Sequence, residues 1–232
     1  MQPLPRVSVV LPVKNGARYL AAALESVQEQ SLKPEEILVV DGHSVDGSPE
    51  IARSFPNVRV LVQQNTGLAE AWNTGIKAAR GDLIAFIESD DRWAPDKLQL
   101  QVECFTRRPA AQYVIGRVHF FLEDGHAVPR GFKQELLQGS HVGRIPGTLL
   151  VRRSLFRDVG VFDPALTIAA DVDWFARCKD AGVSEAVLEE VLLYKRVHDR
   201  NLSSDAGKNT RELLKLLRTS IGRRRDNAID AP

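Results

Sequence analysis

The chain of 232 residues is long enough for one large domain with a substantial hydrophobic core. Apolar residues make up 44% of the chain and charged residues 26%, which is the balance of an ordinary globular protein. The net charge of only +1 argues against a protein that binds nucleic acid through its overall charge.

Strand and helix patterns alternate in the first part of the chain. Apolar, β-branched runs predict strands at 6–13, 35–41, 57–63 and 82–88. Between them, apolar residues at helical spacing predict helices at 17–31, 42–55 and 67–80. Alternation with short links predicts an α/β fold, with a Rossmann-like, mostly parallel sheet that helices cover on both faces. Ligands of such sheets bind beyond the carboxyl ends of the strands.

The alternation stops after a helix predicted at 94–108. Residues 111–128 predict a β-hairpin that turns at Asp124-Gly125, and residues 131–147 show no regular pattern. The remaining patterns predict a short strand and helix at 148–164, a helix at 171–182, a strand at 185–197 and a terminal helix at 207–222.

An acidic cluster ends the fourth predicted strand. The segment LIAFIESDDRW places Glu88, Asp90 and Asp91 directly after a buried apolar run. Three neighbouring carboxylates repel one another unless a cation is shared between them, and Mg²⁺ or Mn²⁺ prefers such oxygen ligands. The residues alone leave a second interpretation open, a solvated turn that caps the helix beginning at Pro95.

Four segments, in this order, resemble the family 2 glycosyltransferases of the GT-A fold. They are VSVVLPVKNGARYLAAALESVQEQS, EILVVDGHSVDGS, NTGLAEAWNTGIKAARGDLIAFIESDDRW and VGVFDPALTIAADVDWFARCKDAG. The resemblance implies one domain at 1–204, with a nucleotide-binding half at 6–93 and an acceptor-side half at 94–204. A C-terminal helix and a mobile tail would follow at 205–232.

The resemblance also implies roles for residues of the nucleotide-binding half. Pro12, Val13 and Lys14 would cradle the base, and Asp41 would accept a hydrogen bond from a uracil-like ring. Asn73 would belong to the donor site, at a position where many relatives carry arginine. The residues alone leave alternatives open: Asp41 as a cap of its own loop, and Asn73 as an amide on a helix surface.

The acidic and C-terminal motifs receive further roles from the resemblance. The family's acidic motif is most often Asp-x-Asp followed by Asp, and Glu88 stands in the first position here. Asp90 would contact the ribose or sugar of the donor, and Asp91 would bind the metal. The segment YKRVHDRNLSS would bring His198 to the metal or diphosphate and Arg196 to the phosphates. A lone histidine is otherwise more often an ordinary surface residue.

A general base must take the proton of the acceptor hydroxyl as that oxygen attacks the sugar. Ala170 and Asp171 stand where the family usually has Glu-Asp, so the resemblance assigns this role to Asp171 rather than to nearby Asp173. The alternative is that Asp171 caps the helix that starts there. Both roles are compatible, because a helix N-terminus favours the ionised carboxylate.

The predicted function is therefore metal-dependent, inverting transfer of a sugar from an NDP-sugar, most often a UDP-sugar, to a glycan, lipid-linked or small-molecule acceptor. Mn²⁺ or Mg²⁺ is the predicted cofactor. Cell-surface polysaccharide, lipopolysaccharide or natural-product glycosylation is the expected setting. The departures at Gly42, Glu88 and Ala170 motivate an alternative, a non-catalytic nucleotide- or glycan-binding protein on the same fold. A nucleotidyltransferase would need a glycine-rich, basic phosphate loop, which PVKNGARYL does not supply.

The expected location is the cytoplasm. The N-terminus lacks a signal-peptide pattern, no apolar run approaches about 18 residues, and two distant cysteines suggest no disulfide framework. Arg223–Arg225 predict at most a weak peripheral contact with an anionic membrane, with a solvated tail as the favoured alternative. Without spanning helices we expect transfer of single sugars, and we expect acceptor specificity to lie around 120–147.

Overall fold

Nine strands form in the part of the chain that the computed structural model describes, which is residues 4–123, 125–129, 131–198 and Glu212. They are β1 (Val7–Val13), β2 (Glu36–Asp41), β3 (Val58–Val62), β4 (Leu83–Phe86), β5 (Arg92–Trp93), β6 (Tyr113–Phe121), β7 (His141–Val142), β8 (Leu150–Arg152) and β9 (Glu185–Arg196).

Six α-helices connect these strands within the described residues. They are α1 (Ala17–Gln28), α2 (Ser48–Ser54), α3 (Leu68–Ala78), α4 (Lys97–Arg107), α5 (Leu155–Asp158) and α6 (Ala170–Asp180). Single 3₁₀ turns lie at Gln134–Leu137 and Pro146–Thr148. None of these helices has both the length and the apolar character that crossing a bilayer demands.

All nine strands belong to one sheet, in the order β3-β2-β1-β4-β8-β6-β9-β5, with β7 paired to β6 outside this path. The first four strands are parallel, as predicted. Beyond β4 the sheet is mixed, because β8 runs antiparallel to both β4 and β6, β9 runs parallel to β6, and β5 runs antiparallel to β9. The expected α/β fold is confirmed, and its parallel half carries the first predicted strands.

Helices bury both faces of the sheet, which explains why β1 is apolar throughout. Val9 and Leu11 face a core shared with α1, α2 and α4, whereas Val10 faces a core shared with α3, α5 and α6. Gly75 lets α3 approach the second face closely, since a Cβ there would lie 2.2 Å from Cγ1 of Val10.

The predicted hairpin at 111–128 is wrong. Residues 113–121 form the single strand β6, and residues 125–129 belong to no strand. Both edges of β6 are taken by other strands, since β9 lies on one side and β7 and β8 on the other. The Asp124-Gly125 signal comes after the end of β6, but the antiparallel strand β7 begins only at His141, so no tight hairpin forms.

Two further sequence predictions concern the C-terminal part. The helix predicted at 207–222 and the basic residues Arg223–Arg225 lie outside the described residues, apart from Glu212, which is helical. The strands β5 and β7 were not predicted, because two residues are too few to show a period of alternation.

The helix α4 begins with a completely buried lysine. Lys97 is 0% exposed, and its ammonium donates to Oε1 of Gln101 at 2.7 Å and lies 4.3 Å from the ring centroid of Trp93. The described residues place no carboxylate within ion-pair distance of it. Burial therefore lowers the pKa of Lys97 well below its ordinary value.

This lowered pKa predicts a pH-dependent stability that Lys97→Met removes. Between the lowered pKa and about 10.4, the unfolded state binds more protons than the folded state, so this group makes stability rise with pH, by at most about 1.4 kcal/mol per unit. The free energy of unfolding of Lys97→Met minus that of the wild type, measured by urea denaturation, should therefore decrease between pH 7 and pH 10. Lys77→Met, at an exposed position, is the matched control, and its difference from the wild type should not change with pH. A difference for Lys97→Met that is equally independent of pH would contradict the lowered pKa.

Candidate active site

The carboxyl ends of β1, β2 and β4 meet at one edge of the sheet, where several of the predicted site residues lie. Val13 pairs with Asp41 across the first two strands, and Val10 pairs with Phe86 at the end of β4. Pro12 and Val13 are buried at the end of β1, so their side chains support the turn that follows. Lys14 is the first exposed residue of that turn.

Hydrogen bonds join the turn after β1 to the loop after β2. The N–H of Asn15 donates to Oγ of Ser44 at 2.8 Å, and the N–H of Val45 donates to Oδ1 of Asn15 at 2.9 Å. Asn15 adopts a left-handed conformation with φ of 52°, which asparagine tolerates better than most residues. The two loops therefore form one rigid rim above the strand ends.

Asp41 lies under this rim and is 5% exposed. Both oxygens of its carboxylate accept the N–H of Ser44, at 3.2 and 3.3 Å. This is the loop-capping geometry that the sequence left open. Each carboxylate oxygen has a second lone pair, so the hydrogen bond to Ser44 leaves acceptor capacity for a ligand.

Close packing joins the rim to the acidic loop after β4. A Cβ at Gly16 would lie 2.8 Å from Cγ2 of Val13 and 2.9 Å from Oγ of Ser89. Only glycine allows this approach without a shift of its neighbours. The predicted base-binding turn and the predicted metal-binding loop are therefore in direct contact.

Glu88, Asp90 and Asp91 converge at the carboxyl end of β4. Each offers a carboxylate oxygen, and the three oxygens lie within 4.8 Å of one another. Three carboxylates form a donor set that suits a hard divalent cation. Asp91 is the most enclosed of the three, since its side chain is only 1% exposed.

The pairing of β5 with β9 brings the C-terminal motif to this loop. Arg92 pairs with Tyr194 and Trp93 with Leu193, directly after the acidic residues. The N–H of Arg196 donates to Oδ1 of Asp91 at 3.0 Å, which continues the contact beyond the strand pair. The short strand thus fixes the acidic loop and the end of β9 in one register.

Lys195 supplies a positive charge inside the acidic cluster. Its Nζ lies 2.9 Å from Oε2 of Glu88 and 3.1 Å from Oδ2 of Asp91, and its side chain is 17% exposed. Burial disfavours the ammonium, but the charges of Asp91, Glu88 and Asp90 outweigh burial and hold the pKa of Lys195 well above its ordinary value.

The pKa values of the two aspartates of the cluster are shifted in opposite directions. Burial raises the pKa of Asp91 to about 7, with the Lys195 charge opposing this rise and the charges of Asp90 and Glu88 adding to it. Burial also acts on Asp90, but the hydrogen bond with His198 and the charge of Lys195 outweigh it, so the pKa of Asp90 is lowered.

His198 lies against Asp90 rather than Asp91. Its Nε2 is 2.9 Å from Oδ2 of Asp90, and its ring stacks on Tyr19 with centroids 5.6 Å apart. The predicted contact of His198 with a metal or diphosphate stays a prediction. In the structure the imidazole holds the Asp90 carboxylate in place.

Arg196 is 3% exposed and packs between two aromatic rings. Its guanidinium lies 4.3 Å from the ring centroid of Tyr19 and 4.8 Å from that of Phe121. It donates to the backbone carbonyl of Asp90 at 3.0 Å and forms an ion pair with Glu123. Its predicted contact with phosphates stays a prediction, and the observed contacts give it a structural role under the acidic loop.

Asp171 is the second residue of α6, and its Oδ1 accepts the N–H of Val172 at 2.8 Å. Burial raises the pKa of Asp171 to about 6, and the negative charge of Glu88 adds to the rise. Asp171 therefore lies within electrostatic reach of the acidic cluster. Asp173 has a structural partner instead, since its carboxylate accepts Nε of Arg177 at 2.7 Å.

A carboxylate from the C-terminal part supports the loop before α6. Glu212 accepts the backbone N–H groups of Thr167, Ile168 and Ala169, each at 3.0 Å. Three donors on one carboxylate fix the path of the chain just ahead of Asp171.

Asn73 connects α3 with the segment that leads to α6. Its Nδ2 donates to the carbonyl of Phe162 at 2.8 Å, and its Oδ1 accepts the N–H of the same residue at 3.1 Å. A role in donor binding stays a prediction. The observed role is that of a clamp on the backbone of Phe162.

The family model described as "Glycosyl transferase family 2" matches residues 8–160, which is more than half of the chain. The chain belongs to glycosyl transferase family 2. The enzyme class that the sequence predicted is thus the class of its family.

Similar curated proteins include "Glycosyltransferase AglE" of Haloferax volcanii, 31% identical over 203 residues that cover 82% of this chain and 66% of AglE. "Putative teichuronic acid biosynthesis glycosyltransferase TuaG" of Bacillus subtilis is 35% identical over 46% of this chain and 44% of TuaG.

Solved structures support the GT-A fold. The S. aureus TarS fragment 1–349 in complex with UDP-GlcNAc superposes with a TM-score of 0.73 at 21% identity, over 94% of this chain and 66% of the fragment. The same fragment in complex with UDP gives a TM-score of 0.65 at 23% identity, over 83% of this chain and 60% of the fragment. The matched segments span about two thirds of the length of AglE and of the TarS fragment, and less than half of TuaG.

Sequence reasoning missed Lys195, Tyr19 and Glu123. Lys195 had a signal, because neighbouring acids favour a cation between them and this lysine directly precedes Arg196 in the C-terminal motif. Tyr19 and Glu123 had none, since only the folded chain brings the start of α1 beside the end of β6.

Arg196→Met tests the support of the acidic loop. The variant leaves Glu123 without this partner and removes the guanidinium from between two rings, so we expect a loss of roughly 2 kcal/mol in free energy of unfolding. Arg18→Met is the matched control, because Arg18 pairs with the same Glu123 but its side chain is 65% exposed. We expect a loss below about 0.5 kcal/mol for the control. Equal losses in urea denaturation would contradict the role of Arg196.

Proposed function

We propose that the chain transfers a sugar from a UDP-sugar to an acceptor hydroxyl, with inversion at the anomeric carbon and with Mn²⁺ or Mg²⁺ as cofactor. The observation that supports this proposal best is the convergence of three carboxylates at the carboxyl end of β4, within electrostatic reach of Asp171. Membership of family 2 supports the reaction class, and the complexes of TarS with UDP and UDP-GlcNAc support uracil as the base.

The donor would lie across the rim at the strand ends. In this proposal Asp41 accepts the N–H of the uracil ring, and the turn formed by Pro12, Val13 and Lys14 encloses that ring. The carboxylate of Asp90, held by His198, accepts a hydroxyl of the ribose or of the sugar. Each of these groups is held by the fold before the donor arrives, which lowers the entropic cost of binding.

The metal ion would be held by Asp91, with Glu88 and Asp90 close by. When bound, a divalent cation neutralises charge on the departing diphosphate as a Lewis acid. The enclosure of Asp91 limits competition from water for that ligand.

Asp171 acts as general base in this proposal. Its carboxylate takes the proton of the acceptor hydroxyl while that oxygen forms a bond to the anomeric carbon. The bond from that carbon to the diphosphate oxygen breaks, and its electron pair leaves with the UDP. The raised pKa of Asp171 suits this role, because a base with a pKa of about 6 is ionised at neutral pH and still accepts a proton readily.

Calorimetry with UDP, GDP, CDP and dTDP, each with and without Mn²⁺, tests the donor site. We expect UDP to bind only with Mn²⁺, and we expect Asp91→Asn to weaken this binding by about tenfold or more, because loss of a metal-supporting group costs at least that much. Exposed Asp96→Asn is the matched control and should bind as the wild type does. Absence of nucleotide binding in the wild type would overturn the proposal.

UDP release from a UDP-sugar and an acceptor tests the catalytic assignment. We expect Asp171→Asn to lower kcat by about 10²–10⁴-fold, because removal of a general base costs about that much. Asp173→Asn is the control, since it should lower stability through loss of the Arg177 pair while kcat of the folded protein is retained. Binding of UDP without any turnover would favour the non-catalytic alternative.

The same assay gives the expected pH dependence. Saturating Mn²⁺ at each pH keeps its proposed ligand Asp91 ionised, so the titration of that carboxylate does not contribute. Protonated Asp171 cannot accept a proton, so kcat/KM should fall about tenfold per pH unit below about pH 6. The residual activity of Asp171→Asn should lack this decline. A decline of the same shape in both proteins would assign it to another group.

A further inference from the structure

Lys195 occupies the space between two carboxylates of the acidic cluster. Its ammonium lies 2.9 Å from Oε2 of Glu88 and 3.1 Å from Oδ2 of Asp91. These are the distances of direct charged hydrogen bonds. The cluster that would hold a divalent cation therefore already contains a cation that belongs to the chain.

The position of Lys195 is fixed by the sheet. Tyr194 pairs with Arg92, and the backbone N–H of Arg196 donates to Oδ1 of Asp91, so Lys195 lies between two anchored residues. Along a strand, side chains alternate between faces, and the side chains next to Lys195 make different contacts. The guanidinium of Arg196 packs on Tyr19 and Phe121, whereas the ammonium of Lys195 lies against Glu88 and Asp91.

A metal ion and the ammonium require the same oxygens. Mg²⁺ binds carboxylate oxygens at about 2.1 Å, so a divalent cation held by Glu88 and Asp91 would come within a few ångströms of Nζ. Two cations at that separation in a nearly buried site repel each other strongly. The four-carbon stem of lysine has the rotational freedom to move the ammonium away while the backbone keeps its register.

We propose that Lys195 is an internal competitor for the divalent cation: its ammonium neutralises Glu88 and Asp91 in the metal-free protein, and the cation binds these carboxylates only when Lys195 moves out. The inference rests on the proposed function, since it concerns the same metal site. It implies that the chain keeps its acidic loop folded without metal, and that metal affinity is lower than the three carboxylates alone would provide.

Titration with Mn²⁺, followed by the electron paramagnetic resonance signal of the free ion, tests the competition. Lys195→Met keeps the length of the side chain and removes its charge, so we expect Mn²⁺ to bind at least about tenfold more tightly than to the wild type. Lys77→Met removes one charge from an exposed site on α3 and should leave the affinity unchanged. Unchanged or weaker Mn²⁺ binding by Lys195→Met would overturn the inference.

A second measurement on the wild type covers the case in which Lys195→Met does not fold. Acetylation of lysines, quantified by mass spectrometry, should leave Lys195 largely unmodified in the metal-free protein, because its ammonium is paired and mostly enclosed. Saturating Mn²⁺ should increase the labelling of Lys195 and leave that of exposed Lys77 unchanged. Equal labelling of Lys195 with and without bound Mn²⁺ would overturn the inference.

These measurements separate the inference from the proposed reaction, because neither uses a donor or an acceptor. Tighter Mn²⁺ binding by Lys195→Met supports the competition even if no sugar transfer is found. If the wild type transfers sugar but its Lys195 is labelled equally with and without bound Mn²⁺, the reaction is supported and the competition is refuted.

Discussion

The acidic loop depends on one short strand pair, β5 with β9. Only Arg92 and Trp93 form β5, yet their pairing with Leu193 and Tyr194 decides which residues face the three acids. Without it, Glu88, Asp90 and Asp91 would form a loop of mutually repelling charges beyond the end of β4. With it, Lys195 and the backbone of Arg196 reach Asp91.

This arrangement balances two opposing electrostatic effects. Enclosure of Asp91 favours its neutral form, as its raised pKa shows, whereas Lys195 favours the charged form. Neighbouring aromatic contacts keep the surroundings rigid, since Tyr19 packs on both Arg196 and His198. Supporting side chains such as these are as much a part of the site as the three acids.

The two halves of the fold contribute differently to the site. The parallel half provides the rim, because parallel strands end at the same edge and hydrogen bonds join their loops there. The mixed half provides the acidic loop's partners through β9 and carries Asp171 at the start of α6. Asn73 ties the halves together through the backbone of Phe162, so α3 and the segment before α6 keep a fixed spacing. Family membership is thus consistent with a site assembled between the two halves.

The sequence by itself determined the parallel half and the place of the acidic loop. Burial on both faces demands continuous apolar strands, and the first polar residues after such a run mark the end of the strand. Local patterns could not determine pairings between distant segments. The turn signal at Asp124-Gly125 suggested a hairpin, but the preference of β6 for β9 as its parallel partner depends on packing across the whole sheet. The burial of Lys97 and the contact of Lys195 with the acids were likewise decided only by tertiary structure, because both depend on neighbours from remote parts of the chain.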